Sequence, residues 1–291
     1  LSWKVKEQVE YINKIKNNYD ICIVMGTGER IAYLADLNYI SYYVGRDIDA
    51  PRFKKNSREI WFKTPLHKLN FLERKFYHNT FKNAIGHVAG VWVYPFLEKY
   101  TKNGIKMDMY AMDDELFKNT THELDIQKTK FTFFSPQRMG NGKGTDLLWK
   151  ALKICKTDFD ILQVNWFDEA TDEELKIREQ LLNELPSQIK LIPMIKRKKM
   201  PEYYSFADAV IGNMIVGTWE LVDLEGVMCG KPVLSYSDPN HKLLVKGNYI
   251  QSSFLPDSNK PEDIAKIIDK VVSSKEFRDE LFENERKFVS N

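Results

Sequence analysis

The chain is poor in the features that mark secreted, membrane-spanning or fibrous proteins. It has 3 cysteines in 291 residues. Cys22, Cys155 and Cys229 all lie in apolar runs, and an odd number without paired spacing argues against a disulfide framework or a zinc site and for a reducing, cytoplasmic location. Asn119-Thr120-Thr121 fits a glycosylation sequon, but such triplets are frequent by chance and nothing else points to secretion. Glycine and proline are few, 14 and 11, which excludes collagenous and low-complexity chains. Charge of one sign is lacking too. With 43 Lys+Arg against 41 Asp+Glu the net charge is +2, so no global field draws in nucleic acid, and none is expected as a partner. Long apolar runs are also missing: the uncharged stretch Ala84 to Leu97 falls short of the roughly 18–20 residues that span a bilayer. The chain starts at Leu1 without Met or a targeting segment, which reads as a chain whose natural beginning is missing.

What is present is alternation. β-branched and aromatic runs at Ile21–Met25, Tyr39–Val44, Ala84–Ala89, Ile105–Tyr110, Lys130–Ser135, Phe159–Asn165, Ile189–Pro193, Ala209–Gly212 and Pro232–Tyr236 read as strands. Helical periods lie between most of them. Leu147, Leu148, Ala151, Leu152 and Cys155 share one face after Thr145 and Asp146, which are available as caps. Ile264, Ile267, Ile268, Val271 and Val272 form a second stripe entered through Pro261. A lone helix, Val5 to Ile15, opens the chain, and Phe277 to Phe288 reads as a terminal helix that fits against either domain. The fold class is therefore α/β, with nearly all-apolar strands predicting parallel sheets covered on both faces. At about 100–200 residues per domain the length fits two domains. The drop in apolar density between Asp113 and Lys130 places the boundary at 120, giving a first domain of 1–120 and a second of 121–291.

Two segments carry candidate chemistry. Phe133 to Leu152 runs from a strand through the Gly-rich turn Met139-Gly-Asn-Gly-Lys-Gly144 into a helix. Such a turn frees backbone N–H groups at a helix N-terminus, and Arg138 and Lys143 add full positive charges, so the segment reads as a diphosphate site. It is not a Walker loop, because the G-x-x-x-x-G-K-[ST] order is absent. Gly217 to Ser235 again places a loop before a short helix that leads into a strand. With Leu221, Leu224 and Met228 toward the sheet, Glu225 turns toward the crevice beyond the strand ends, where a carboxylate accepts ribose hydroxyls.

Together the segments resemble the donor domain of GT-B glycosyltransferases, the retaining nucleotide-sugar-dependent family 4, also called glycosyl transferases group 1. The family pattern of Arg, then Lys-Gly five residues on, then a Leu-Leu-x-Ala-Leu helix is met by Arg138, Lys143-Gly144 and Leu147 to Leu152. A Tyr-Tyr-x-x-Ala-Asp element is met by Tyr203 to Asp208, and a Glu-Ala-Met-Ala-x-Gly-x-Pro-Val element by Glu225, Met228, Gly230, Pro232 and Val233. The resemblance implies two Rossmann-like domains facing a cleft, the first incomplete. It also implies transfer of a hexosyl-type sugar from a nucleotide diphosphate sugar to an acceptor hydroxyl, with retention, without metal and without a further cofactor. Arg138 and Lys143 would hold the diphosphate with the backbone N–H groups of Glu220, Leu221 and Val222, Glu225 would hold the ribose, and the stretch after Leu191 would flank the base. The family's first glutamate falls at Gly217, so Gly217 and Thr218 mark the sugar side, with Glu220 available as a substitute. In the first domain Gly26 and Thr27 stand where the family often carries a histidine for the sugar, and Asn165-Trp166 replaces a frequent Gly-x-Gly. No catalytic residue is named. The acceptor is a glycan, a lipid-linked molecule or a small molecule.

Other motifs weigh less. Asp47-Ile48-Asp49 and Asp158-Phe159-Asp160 match a metal-holding D-x-D triplet, unremarkable among 41 acidic residues. His67, His78, His87, His122 and His241 show no ligand spacing. The basic runs Arg52 to Arg58 and Lys196 to Lys199 read as solvated faces, or as peripheral contacts with anionic lipid. Two alternatives stand beside the transferase: a non-catalytic nucleotide-sugar-binding relative, and an oxidoreductase holding a dinucleotide on Gly26-Thr27-Gly28, with Asp47 or Asp49 for the ribose.

Overall fold

A computed structural model of the chain describes residues 3–26, 28–44, 71–90, 93–107, 112–120, 124–167, 172–217, 219–238, 242–245, 248–251 and 258–290. The chain divides into two units, Leu1–Met109 and Tyr110–Asn291. This division falls upstream of position 120, because Met112, Leu116 and Phe117 pack into the core of the second unit.

The first unit runs α1 (Trp3–Ile15), β1 (Cys22–Met25), α2 (Gly28–Leu34), β2 (Tyr39–Tyr43), α3 (Phe71–Asn83), β3 (Gly86–Ala89), α4 (Tyr94–Leu97) and β4 (Gly104–Lys106). Its sheet is parallel in the order β1-β2-β3-β4. Parallel crossovers are right-handed, so a sheet that steps steadily in one direction sends its helices to one face. Val24, Ser41, His87 and Gly104 lie in register across that face. Gly28 of α2 lies against Val24, Phe81 of α3 stacks on His87 at 4.0 Å, and Leu97 of α4 covers Gly104. The other face carries Ile23, Met25 and Ile105, each more than half exposed. On the same face Tyr42 and Val88 of the central strands are buried, so among the described residues the exposure falls on the edge strands β1 and β4.

The second unit runs β5 (Phe131–Ser135), α5 (Thr145–Leu152), β6 (Phe159–Val164), α6 (Asp172–Asn183), β7 (Ile189–Ile192), α7 (Met200–Phe206), β8 (Ala209–Ile211), α8 (Leu221–Met228), β9 (Val233–Leu234), β10 (Lys242–Val245), β11 (Asn248–Gln251), α9 (Pro261–Ser273) and α10 (Lys275–Ser290). Five strands form a parallel sheet in the order β7-β6-β5-β8-β9, covered on both faces as expected. Successive strand residues point to opposite faces, and each strand is divided accordingly. Phe133, Ile161, Ile211 and Leu234 enter a core with Leu148, Trp149 and Leu152 of α5 and Ile264 and Ile268 of α9. Phe134, Leu162, Val210 and Val233 enter a second core with Tyr204 of α7 and Leu224 and Val227 of α8. Fully burying one such side chain is worth about 1.5–3 kcal/mol.

The order reverses at β5. The next strand, β6, lies to one side and β8 to the other, which opens a crevice beyond the carboxyl ends of β5 and β8. The terminal helix α10 belongs to this unit. Its Glu285 is buried and accepts the backbone N–H of Val233 on both carboxylate oxygens, at 3.0 and 3.2 Å. The sequence reading missed the antiparallel hairpin of β10 and β11. No helix among the described residues is long and apolar enough to cross a membrane.

Candidate functional site

The turn after β5 is shaped by glycine. Gly144 has φ +70, and a β-carbon there would meet Met214 at 2.9 Å, so only glycine lets the turn pack against the strand-end loop after β8. Gly144 also precedes the first residue of α5, and Thr145 Oγ1 accepts the N–H of Gly140, closing the turn on itself. Ser135, Gln137, Arg138, Lys143, Thr145, Leu148, Gln163, Gly212 and Met214 line a shallow recess that is partly open to solvent. Arg138 reaches it with its guanidinium over the Trp166 ring, 5.8 Å from the centroid. That contact is where the sequence shows Trp166 in place of glycine.

Lys143 is brought across the crevice to Glu220. Its Nζ donates to both carboxylate oxygens, at 2.5 and 2.7 Å, with both side chains about three-quarters buried. Asn213, at the end of β8, donates from Nδ2 to Glu220 Oε2 at 3.2 Å. Its Oδ1 accepts the N–H groups of Ile215 and Val216 at 2.8 and 2.9 Å, which fixes the loop that carries it. Glu220 is also the residue before α8, and its N–H donates to Asp223 Oδ2 at 2.7 Å. The three amides expected at this helix start are therefore not equivalent. That of Glu220 is spent on Asp223, while Leu221 and Val222 stand in the first turn, where no intrahelical carbonyl reaches them. Asp223 is wholly buried and accepts Ser235 Oγ at 2.6 Å. Burial pushes its carboxyl up to about 7, against the opposing hydrogen bonds from Glu220 and Ser235.

Glu225 is more enclosed than its helical period suggested. It is 1% exposed, because α8 is enclosed by β8, β9, α7 and α10 and keeps little solvated surface around it. Its Oε2 accepts the Tyr204 hydroxyl at 2.9 Å. Arg197, about half exposed, covers the other oxygen, with Nη1 2.8 Å from Oε1. The pair has ion-pair distance but not hydrogen-bond alignment. The Arg197 guanidinium lies over Phe117, 4.8 Å from the ring centroid. Burial pushes the Glu225 carboxyl above its usual range, and the Tyr204 hydroxyl and Arg197 hold it down. Burial and the Glu225 charge push the Tyr204 phenol up.

Gly217, expected at the sugar side, has φ +76. A β-carbon there would lie 2.6 Å from the Asp238 β-carbon and 3.1 Å from the Asp238 amide nitrogen, and Asp238 N–H donates to Gly217 C=O at 2.9 Å. Gly26 lies after β1 with φ +52. Thr27, Thr218, Asp47 and Asp49 fall outside the described residues, as do Arg52 to Arg58, His67, His122 and His241. Asp158 and Asp160 are each tied to a lysine, Lys130 at 2.7 Å and Lys190 at 2.5 Å. No group of three potential metal-ligating side chains occurs among the described residues. Sequence reasoning missed Asn213, Arg197 and Gln137. Arg197 carried a signal only as part of a basic run, and the other two carried none.

The five-stranded sheet with its switch point, two basic residues on a Gly-rich turn and a short helix opposite them define a class. The family model described as Glycosyl transferases group 1 matches residues 117–288, more than half of the chain. The chain belongs to that family. No curated protein matches it in sequence. Among solved structures it is similar to HepE (Alr3699) of Anabaena in complex with UDP and glucose, at TM-score 0.67 and 16% identity over 97% of this chain and 76% of that one. It is also similar to sucrose-phosphate synthase of Thermosynechococcus elongatus, at TM-score 0.69 and 14% identity over 98% and 72%. A glycosyltransferase of Rickettsia africae gives TM-score 0.61 and 15% identity over 100% and 77%. These likenesses establish a shared GT-B architecture.

Proposed function

We propose that the chain transfers a hexosyl-type sugar from a nucleotide diphosphate sugar to an acceptor hydroxyl, with retention and without a metal or further cofactor. The observation that carries this reading is the convergence of Arg138 and Lys143 on one recess, opposite the start of α8, at the switch point of the sheet. Two cations and the first-turn amides of Leu221 and Val222 meet a diphosphate where its charge grows as the sugar departs. Glu220, now paired to Lys143, gives way to that anion. Retention places the acceptor hydroxyl on the face from which the diphosphate leaves, so a leaving phosphate oxygen takes the proton. Arg197 and Glu225 form the nucleoside end, with the guanidinium as the exposed member. HepE was solved with UDP and with UDP-glucose, which makes these the first donor probes. The acceptor is a glycan, a lipid-linked molecule or a small molecule, met in the cytoplasm or at a membrane surface.

The experiment is a thermal-shift screen of UDP, GDP and ADP and their glucose conjugates, followed by assay of nucleotide release with and without chelator. A ligand at 100 times its dissociation constant stabilises by about 2.7 kcal/mol. The expected result is stabilisation by at least one diphosphate, none by the parent nucleosides, and acceptor-dependent release that chelator leaves unchanged. Equal response to nucleosides removes the diphosphate site. A divalent-cation requirement overturns the metal-independent step, and binding without release favours a non-catalytic relative.

A further inference from the structure

Gln137 is the residue between β5 and Arg138 that neither the family resemblance nor the reading above assigns. It is 7% exposed and lines the recess that Arg138 and Lys143 share. Its backbone is fixed, since its C=O accepts Gln163 Nε2 at 2.8 Å. Its side chain is not: neither Nε2 nor Oε1 meets a hydrogen-bond partner. Both ends of the amide are unpartnered, so exchanging its nitrogen and oxygen changes nothing. A buried polar group left in this state is costly, and in a native structure it calls for an explanation.

The neighbours narrow what satisfies it. Arg138 and Lys143 are donors only, so they have nothing to accept the amide N–H2. The hydroxyl of Thr145 already accepts from Gly140. None of these groups reaches the amide, so a ligand that completes Gln137 presents an acceptor and a donor side by side. A diphosphate alone offers acceptors; a sugar alone offers no anion for the two cations next to it. A nucleotide sugar offers both at one point, where a phosphate oxygen and a sugar hydroxyl flank the bond that breaks.

We infer that Gln137 reads the junction of diphosphate and sugar: its amide N–H donates to a phosphate oxygen and its C=O accepts a hydroxyl of the transferred sugar. This rests on the donor reading above and adds to it a residue that distinguishes the charged sugar nucleotide from the spent diphosphate. Gln137→Met keeps length and removes both polar atoms. Isothermal titration of wild type and variant with UDP and UDP-glucose, and with the GDP and ADP pairs, gives the ratio of nucleotide-sugar to diphosphate affinity, which partial unfolding does not move. The expected result for Gln137→Met is a loss of about tenfold for the nucleotide sugar and about threefold for the diphosphate, with an unliganded melting temperature equal to or above wild type. Gln137→Glu keeps an acceptor but loses the donor and adds a charge, so it weakens the diphosphate at least as much as the sugar nucleotide. If Gln137→Met leaves the ratio unchanged, the amide is satisfied by water or structure and the inference falls while the donor reading stands. If wild type binds none of the nucleotides, the donor reading fails and takes the inference with it.

Discussion

Replacing Asp223 by Asn should make the second unit more stable at pH 8 and leave it nearly unchanged below about pH 4. Asp223 has no solvent exposure, and burial moves its carboxyl from 3.8 to about 7. A carboxyl raised on folding binds its proton more tightly in the folded chain than in the unfolded one. Its contribution to stability is therefore complete below about pH 4, declines as pH rises, and is gone above about 7. About three units at 1.36 kcal/mol each make about 4 kcal/mol over that window. Asparagine does not titrate and keeps both contacts, its oxygen accepting the Glu220 N–H and its amide donating to Ser235 Oγ. The difference between variant and wild type should grow by about 2–4 kcal/mol from pH 5 to 8. In a unit of this size that is about 5–10 °C in melting temperature. Thermal denaturation followed by circular dichroism at half-unit pH steps measures it. A difference that stays constant across this range would mean that Asp223 is ionised throughout, and the buried-acid account would be wrong.

Two further outcomes follow from the ion pairs of the site. Glu220→Gln removes the carboxylate that holds Lys143 and should tighten inorganic pyrophosphate several-fold, the equivalent of about 0.5–1 kcal/mol for a partly exposed pair, while Lys143→Ala should weaken it tenfold or more. Weaker pyrophosphate binding by Glu220→Gln would show that Glu220 positions the lysine and does not compete for it. Arg197→Ala leaves Glu225 with Tyr204 alone, so burial drives its carboxyl higher still. Nucleoside diphosphate binding by this variant should be poorest in acid and recover as pH rises, with pyrophosphate binding unaffected and Arg197→Lys intermediate. A pH-independent loss in titration calorimetry would assign Arg197 a packing role on Phe117.

The alternation of strands and helices was legible because strands buried on both faces are rich in apolar and aromatic residues, as in Phe131–Ser135 and Phe159–Val164. The Gly-rich turn was legible because glycine, arginine and lysine at fixed spacing are local features. The burial of Glu225 was not legible, for the opposite reason. Its cover comes from Tyr204 of α7 and from Arg197, which precede it in the chain, and no helical period records a cover that arrives from another element. The exposed edges of the first sheet escaped similarly, since Ile23 and Met25 are as apolar as strand residues that are covered. The hairpin of β10 and β11 did leave a trace, two short runs separated by Lys246-Gly247, a spacing typical of two-residue turns.

Gly217 and the 236–238 turn exclude one another's alternatives. The Asp238 backbone stands so near that glycine is the one residue fitting position 217 as the chain now runs, so replacing it with glutamate cannot by itself restore a carboxylate there. The turn has to retreat first, and while it retreats the hydrogen bond from Asp238 to Gly217 is lost. Change at the two positions is thus ordered, with the costly step coming before the useful one. A loop reached by such a path is held in its present form by its neighbours.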